Sequence, residues 1–362
     1  MTLPSAARLT IDLDALAHNY RVLRAQAGEV VAAPVLKGDG YGLGVGPIAR
    51  RLWAEGARQF FVARLSEGET LRSELGTQRP ATLYVLDGMT EGTGDRLVAS
   101  GLTPALTSLG QVHTARTYQA RSGATLPVAL HIDTGMNRQG LLPAEALALG
   151  SHDFGGLELK LVMSHLGSAT APGDPRNALQ LQRFKEVRSH FADVPASLSA
   201  SAGIFLGKAW RYEVVRPGVS LFGGGPEEVP DARLQAVATL TAPILDIRTI
   251  PAGEWLGYGS RLVLDRSTRV AVVAAGYADG VIRAARSAAF GWYGGARRKI
   301  LIVNMDLIVI DIGDAHAEIG DAVELMGPNA PIDELATAAG TVAHECLVRL
   351  SPRAERVYLG GT

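Results

Sequence analysis

The sequence predicts an α/β protein in two parts: an N-terminal (β/α)8 barrel over residues 1–228 and a mostly β C-terminal domain over residues 229–362. Two observations carry this. Eight short β-rich apolar runs recur through roughly the first 225 residues, with helical spacing between them. After about residue 228 that spacing fades and long β-branched runs take over. Short runs buried on both faces and alternating with helices pair in parallel. Eight such units in roughly 200 residues suit a closed barrel better than an open sheet.

In chain order the runs are EVVAAPVL (29–36), QFFVA (59–63), ATLYVL (81–86), LTPALT (102–107), LPVALHI (126–132), LKLVMS (159–164), ASLSA (196–200) and YEVVRPGVSLF (212–222). GVGPIARRLWAEG and ALQLQRFKEVRSHF between them repeat apolar residues at helical intervals. GPEEVPD (225–231) reads as a linker, rich in turn residues. Beyond it, QAVATLTAPILDIRTI, TRVAVVAAGYADG, RKILIVNMDLIVIDIGD and AVELMG read as mostly antiparallel strands, with helical spacing returning at PIDELATAAGT.

Composition bounds the function. Of the 362 residues 47% are hydrophobic and 20% charged, and the formal net charge is −1. That balance fits a globular protein and offers no field to draw nucleic acid or an anionic membrane. Arg8, Asp12, Asp14, Arg21 and Arg24 interrupt the first thirty residues, so no secretory apolar core forms there. No apolar stretch is long enough to span a bilayer. Cys346 is the single cysteine. An intrachain disulfide is therefore impossible, and a reducing, cytoplasmic location is expected. In AHECLVRL that cysteine reads as core in an apolar strand.

Barrel enzymes place their chemistry at the C-terminal strand ends. Here those ends present Lys37, Arg64, Asp87, Asp133, His165, Ser201 and Arg216, a cationic mouth suited to an anion. In VLKGDGYGLG, Lys37 leaves a buried run among four glycines. Desolvation lowers a lysine from its usual pKa of about 10.4, which suits Schiff-base chemistry. The plainer reading is a strand-capping lysine paired with Asp39. The glycine run is not a dinucleotide fingerprint, and LGKAW is not a P-loop, because their glycines and hydroxyls are misplaced. VVRPGVSLFGGG offers Arg216 and the backbone N–H groups of Gly218 and Val219, and SASAG adds the Ser201 hydroxyl, together enough to hold a phosphate. A rival reading makes His131, Asp133 and His165 ligands of a divalent metal in a barrel hydrolase, although no fourth ligand is evident.

Six blocks in order resemble the alanine racemase family of fold-type-III pyridoxal-phosphate enzymes: VLKGDGYGLG, HIDTGMNRQGL, MSHLGSA, VVRPGVSLFGG, LGYGS with AAGYADG, and VNMD. The resemblance runs from RLTIDLDALAHNY to RLSPRAERVYLG. It implies that Lys37 carries pyridoxal 5'-phosphate and that Tyr41, Ser201, Gly218 and Val219 bind its phosphate. His165 would lie against the ring, and Arg216 would face the pyridine nitrogen. A guanidinium keeps its proton, so the ring nitrogen receives none and proton exchange is favoured over transamination. Lys37 and Tyr258 would be the two catalytic acid–base groups. Arg138 would help hold both the cofactor's phenolic oxygen and the substrate carboxylate, and Tyr277 and Met305 would bind the substrate with it. The resemblance further implies a homodimer in which Tyr258, Tyr277 and Met305 reach into the partner's site, no metal, and a role in supplying D-alanine for peptidoglycan.

The blocks depart from the family at several points. Gly38 and Gly40 stand where alanines are usual, which is expected to loosen the loop by roughly 0.5–1 kcal/mol each. His131 replaces a lysine that many relatives carbamylate to steady the arginine. Ala200 replaces a common asparagine, and Pro352 falls where some members have a phosphate-binding tyrosine. Three alternatives are a racemase of another amino acid such as serine, a decarboxylase, and a non-catalytic cofactor carrier. Arg216 argues against the decarboxylase, and the second domain with its tyrosine against the carrier.

Overall fold

The computed structural model describes residues 6–258 and 262–361. Its contacts divide the chain into two units: residues 17–221, and the N-terminal segment through Leu16 together with residues 222–361.

The first unit is a parallel half-barrel. Strands Gln59–Val62, Thr82–Val85, Leu102–Leu106, Leu126–His131, Leu157–Met163 and Ala196–Ser197 lie side by side in sequence order, every pair parallel. Val31–Ala32 and Val214–Val215 form a separate parallel pair. Single bridges join Val35 to Phe61 and Ala200 to Arg216. All eight apolar runs therefore contain a strand. The last two strands are short, because Pro217 removes a ladder donor and the chain turns into a 3-10 helix at Val219–Phe222. Arg216 thus sits just past its strand rather than within it.

The interior is filled at one level by Ala33, Phe61, Tyr84, Ala105, Ala129, Leu161, Met163 and Val214. Phe61 stacks on Tyr84 with centroids 4.5 Å apart, and the three alanines make room for that pair. Seven of the eight runs contribute to this layer, which is why they are apolar throughout rather than alternating. Helices Val45–Ala54, Leu65–Leu75, Leu109–Ser122 and Pro175–His190 separate the strands. Side-chain caps start two of them: Ser108 Oγ accepts from Gln111 N–H, and Asp174 accepts from Arg176 N–H beside a proline at the first helical position.

The second unit is a closed antiparallel barrel. Thr268–Val273, Ile308–Asp311, Ala296–Val303, Phe290–Tyr293, Ala322–Met326 and Ala238–Ile250 follow one another around it. The ring closes because the 13-residue strand Ala238–Ile250 pairs with Ala322–Met326 through its first half and with Thr268–Val273 through its second. Closure removes edges that would otherwise invite aggregation. Arg8–Asp12 adds antiparallel to Ala238–Ile250 and parallel to Glu355–Leu359. Cys346 is buried on the helix Ala343–Val348, not in a strand. Its run turns Ala343, Cys346 and Leu347 inward, a helical interval. No helix among the described residues is long and apolar enough to cross a membrane.

Candidate active site

Lys37 ends the first apolar run and opens an unusual turn. Gly38, Asp39 and Gly40 have φ of 64°, 55° and 63° with ψ of 41°, 51° and 44°, and Tyr41 follows at φ 57°. This is a short left-handed helix, closed by Gly40 N–H to Leu36 O at 3.0 Å and Gly42 N–H to Gly38 O at 2.7 Å. Such a conformation costs an L-residue roughly 1–2 kcal/mol, and glycine nothing comparable. The two glycines therefore relieve this turn, contrary to the expectation that they loosen it. Asp39 does not pair with the lysine: its Oδ1 accepts from Val45 N–H at 2.8 Å. The N–H of Gly38 donates to Glu67 Oε1 at 2.8 Å.

The charge around Lys37 is one-sided. The side chain is exposed at the strand ends, yet protein surrounds it on most sides. Desolvation pulls its ammonium below the usual range and Arg138 pulls further, while Glu67 opposes them. His165 is held well below its ordinary range by burial, then by Arg216, Arg138, His131 and Lys37. Burial, Arg216 and Arg138 likewise bring His131 down to about 4, so it is a neutral imidazole at neutral pH. It therefore cannot supply the negative charge that a carbamylated lysine would. Its Nδ1 is buried without a hydrogen-bond partner among the described residues.

Arg216 is the most telling group. It is 3% exposed and donates to Ser197 Oγ and the carbonyls of Ser164 and Leu198, but among the described residues it forms no ion pair. Burial alone lowers it to about 9. A buried cation without a counter-charge carries a desolvation penalty that a ligand acceptor or anion would offset.

Asp133 does not ligate a metal. Its Oδ1 accepts the N–H groups of Gly135, Met136 and Asn137 at 2.8–3.1 Å, and its Oδ2 that of Arg138 at 3.1 Å. Burial raises this carboxyl, but the four N–H bonds together outweigh it and lower it overall. Asp133 thus shapes the loop that carries Arg138. Among the described residues no group of three or more His, Cys, Asp and Glu has the geometry to hold a metal ion.

The phosphate candidates converge at the end of the last two runs. Ser201 Oγ accepts the N–H of Gly218 at 2.9 Å and of Ser220 at 3.3 Å. With its oxygen so engaged, the hydroxyl proton points elsewhere and can be donated. The Gly218 N–H, expected to be open to a ligand, is thus taken up by Ser201. Gly218 has no space for a side chain, since a Cβ would stand 2.4 Å from Tyr41 Oη. Tyr41, Ser201, Gly218 and Val219 therefore form one cradle, in the same unit as Lys37, Arg138, His165 and Arg216. Arg64 and Asp87 pair with each other at the surface, an arrangement worth little by itself.

Tyr258, Tyr277 and Met305 belong to the antiparallel unit, where they line one concave pocket of about 780 Å³ with Arg283, Asn304 and Asp306. They are strongly exposed, at 82%, 42% and 53%. Gly259 and Ser260 of the LGYGS block lie outside the described residues. Tyr277 N–H donates to Asn304 O at 2.9 Å, and Ala278 N–H to Met305 O at 3.0 Å. A Cβ at Gly276 would come within 2.2 Å of Met305 O, so only glycine permits this approach. Arg353 locks the two segments. It donates to both Asp279 oxygens at 2.8 and 2.6 Å and to Asp306 at 2.5 Å. Sequence reasoning passed over Glu67, Ser197 and Arg353; only the glutamate three residues after Arg64, at the start of a helical stretch, hinted at the first.

Comparisons with known proteins agree over both units. The chain matches the family models "Alanine racemase, N-terminal domain" over residues 11–226 and "Alanine racemase, C-terminal domain" over residues 237–358. It is 43% identical to an alanine racemase of Methylobacterium nodulans, covering 98% of this chain and 97% of that protein. It is 40% identical to a catabolic alanine racemase of Mesorhizobium japonicum, covering 99% and 94%. A crystal structure of alanine racemase from Bartonella henselae with covalently bound pyridoxal phosphate superposes with a TM-score of 0.92 at 32% identity, covering 98% of this chain and 100% of that one.

Proposed function

This chain belongs to the alanine racemase family, and we propose that it interconverts L- and D-alanine at a pyridoxal-phosphate site built on Lys37. The observation that supports this most is the buried, unpaired guanidinium of Arg216 beside a cluster of lowered cations. Such a site suits an anionic cofactor whose ring nitrogen accepts a hydrogen bond.

When bound, pyridoxal phosphate supplies the electron withdrawal that makes the Cα proton of alanine labile. Lys37 is the covalent anchor and serves one face of Cα. Its lowered ammonium favours the free amine that takes up a proton. Tyr258 serves the opposite face. Tyrosine and lysine have similar reference pKa values, near 10, so each can act as acid or base as the reaction reverses. Each such group is typically worth roughly 10²–10⁴-fold in rate. Ser201 donates its hydroxyl proton to the phosphate, with Tyr41 and the backbone of Gly218 and Val219 beside it. His165 would lie against the cofactor's ring, and Arg216, which keeps its own protons, would face the ring nitrogen and leave it unprotonated. Arg138 and the Met305 N–H hold the alanine carboxylate, and Tyr277 narrows the entrance.

The exposed Tyr258, Tyr277 and Met305 support a homodimer in which residues 229–362 of one chain complete the site on residues 1–228 of the other. The bridges Val35–Phe61 and Ala200–Arg216 support closure of the eight parallel runs into a full (β/α)8 barrel. We assign the activity to the cytoplasm and to supply of D-alanine for peptidoglycan. The test is the visible spectrum of the purified protein before and after borohydride, with peptide mapping and polarimetry of L-alanine. A yellow protein that bleaches, carries pyridoxyl on Lys37 and racemises alanine is expected. A protein unable to take up pyridoxal phosphate would overturn the reading.

A further inference from the structure

The turn that carries Lys37 is held from outside by a single carboxylate. Glu67 is the third residue of the helix Leu65–Leu75, and its Oε2 accepts from Ala63 N–H at 2.8 Å and Arg64 N–H at 3.1 Å. Those bonds are the glutamate half of a capping box at the end of the strand Gln59–Val62, since Arg64 has no acceptor to supply the other half. The other oxygen leaves the box. It crosses to the N–H of Gly38, the amide immediately after Lys37, at 2.8 Å. One side chain therefore fastens the left-handed turn to the neighbouring strand end, at the point where that turn begins.

Glu67 also stands apart by charge. Two charged groups act on Lys37, from different directions: Arg138 from the loop after Leu126–His131 and Glu67 from its helix. Asp39, on the lysine's own turn, is engaged with Val45 N–H. Asp133, beneath Arg138, is saturated by backbone N–H groups. Among the groups that act on Lys37, only Glu67 is negative.

We propose that Glu67 is a positioning residue for Lys37, fixing the amide that follows the lysine and supplying the negative charge that faces its ammonium. This rests on the reading of Lys37 as the anchor of the cofactor. A residue that only caps a helix would change stability when altered. A residue that positions and balances Lys37 must also change the chemistry of that amine. Without Glu67 the lysine loses its one opposing charge, so it gives up its proton at lower pH. It also loses the bond that orders Gly38, so a correctly placed amine becomes a mobile one.

The test is the pH dependence of Lys37 acetylation by acetic anhydride in the cofactor-free full chain, read by peptide mass spectrometry. Lys160, Lys185, Lys208 and Lys299 are all exposed and serve as internal standards. In Glu67→Gln, Lys37 is expected to react roughly three- to tenfold faster at a fixed pH below its midpoint, with the other four lysines unchanged. Glu67→Asp keeps the charge on a shorter arm. Its midpoint should stay near that of the parent, while pyridoxal phosphate is captured several-fold more slowly. An unchanged Lys37 profile in a folded Glu67→Gln protein would overturn the proposal and leave Glu67 a helix cap. If Glu67→Gln does not fold, Glu67→Asp decides alone: capture as fast as in the parent would equally overturn it. Failure of the parent chain to take up pyridoxal phosphate at all would instead sink the cofactor reading, and the acetylation profiles would still judge Glu67.

Discussion

Arg216 and Arg353 are both anchored arginines, and they sit in opposite electrostatic settings. In the parallel unit, Arg216 is buried among carbonyls and a hydroxyl, with Lys37, Arg138 and two lowered histidines nearby. In the antiparallel unit, Arg353 is half-exposed and meets two carboxylates, Asp279 and Asp306, which raise it far above its ordinary range. The first unit holds positive charge that its own chain does not balance. The second pairs its anchored arginine with carboxylates but leaves Tyr258, Tyr277 and Met305 open to water. One part needs an anion and the other needs cover. The proposed function gives both, the cofactor answering the first need and a second copy the other.

The largest test of that division is catalytic. Lys37→Ala and Tyr258→Phe should each lower racemisation by at least roughly 10²–10⁴-fold in a polarimetric assay. Tyr258→Phe should leave the melting temperature nearly unchanged, since only the hydroxyl is lost and the side chain packs little within its own chain. A similar loss from an exposed tyrosine away from that pocket, such as Tyr358, would blur the distinction.

Next in size is a pH effect confined to the parallel unit. His131 titrates at about 4 when folded and near 6.5 when unfolded. Between those values the unfolded chain binds a proton that the folded chain refuses. Stability should therefore fall as pH drops from about 6.5 to about 4, by up to roughly 3 kcal/mol, and level off below. His165 acts in the same direction. Urea midpoints measured across that range should show the slope, and His131→Asn should reduce it.

The two arginines themselves sharpen the contrast. Arg353→Met leaves Asp279 buried and unpaired, and should lower stability by about 2 kcal/mol, moderated by the exposure of the pair. Arg216→Met removes an uncompensated buried cation. It should leave the cofactor-free chain as stable or about 1 kcal/mol more so, while weakening its hold on pyridoxal phosphate. Chemical denaturation with and without cofactor reads both. Comparable in size is Gly40→Ala, which forces a side chain into φ 63° with its Cβ 2.9 Å from Ile48 Cδ1. A loss of about 1–2 kcal/mol is expected from the same denaturation curves.

The eight parallel runs were readable because each is apolar and bounded by turn residues, and every one contains a strand. Lys37 and Arg216 stood out from the residues alone, because a charge at the end of a buried run demands a reason. Other features have no local signal. Arg8–Asp12 joins Ala238–Ile250 across more than two hundred residues, a pairing no short window contains. Asp133 entered a rival metal reading because its spacing from the histidines was visible, whereas the four N–H groups that occupy it arise only once the loop folds back. Gly38 and Gly40 read as loosening until their positive φ showed a left-handed turn that needs them. Tyr258, Tyr277 and Met305 carry no chemistry in their spacing, and only the family resemblance singled them out.

The central claim is that each site draws Lys37 from one chain and Tyr258 from another. Mixing Lys37→Ala with Tyr258→Phe, unfolding the two together and refolding them, tests it most directly. Half of the dimers would then be mixed, each with one site lacking both groups and one site lacking neither. The account predicts that racemisation returns to about one quarter of the parent rate. Activity that stays at the sum of the two inactive parents would contradict it, placing Tyr258 either in its own chain's site or outside the reaction.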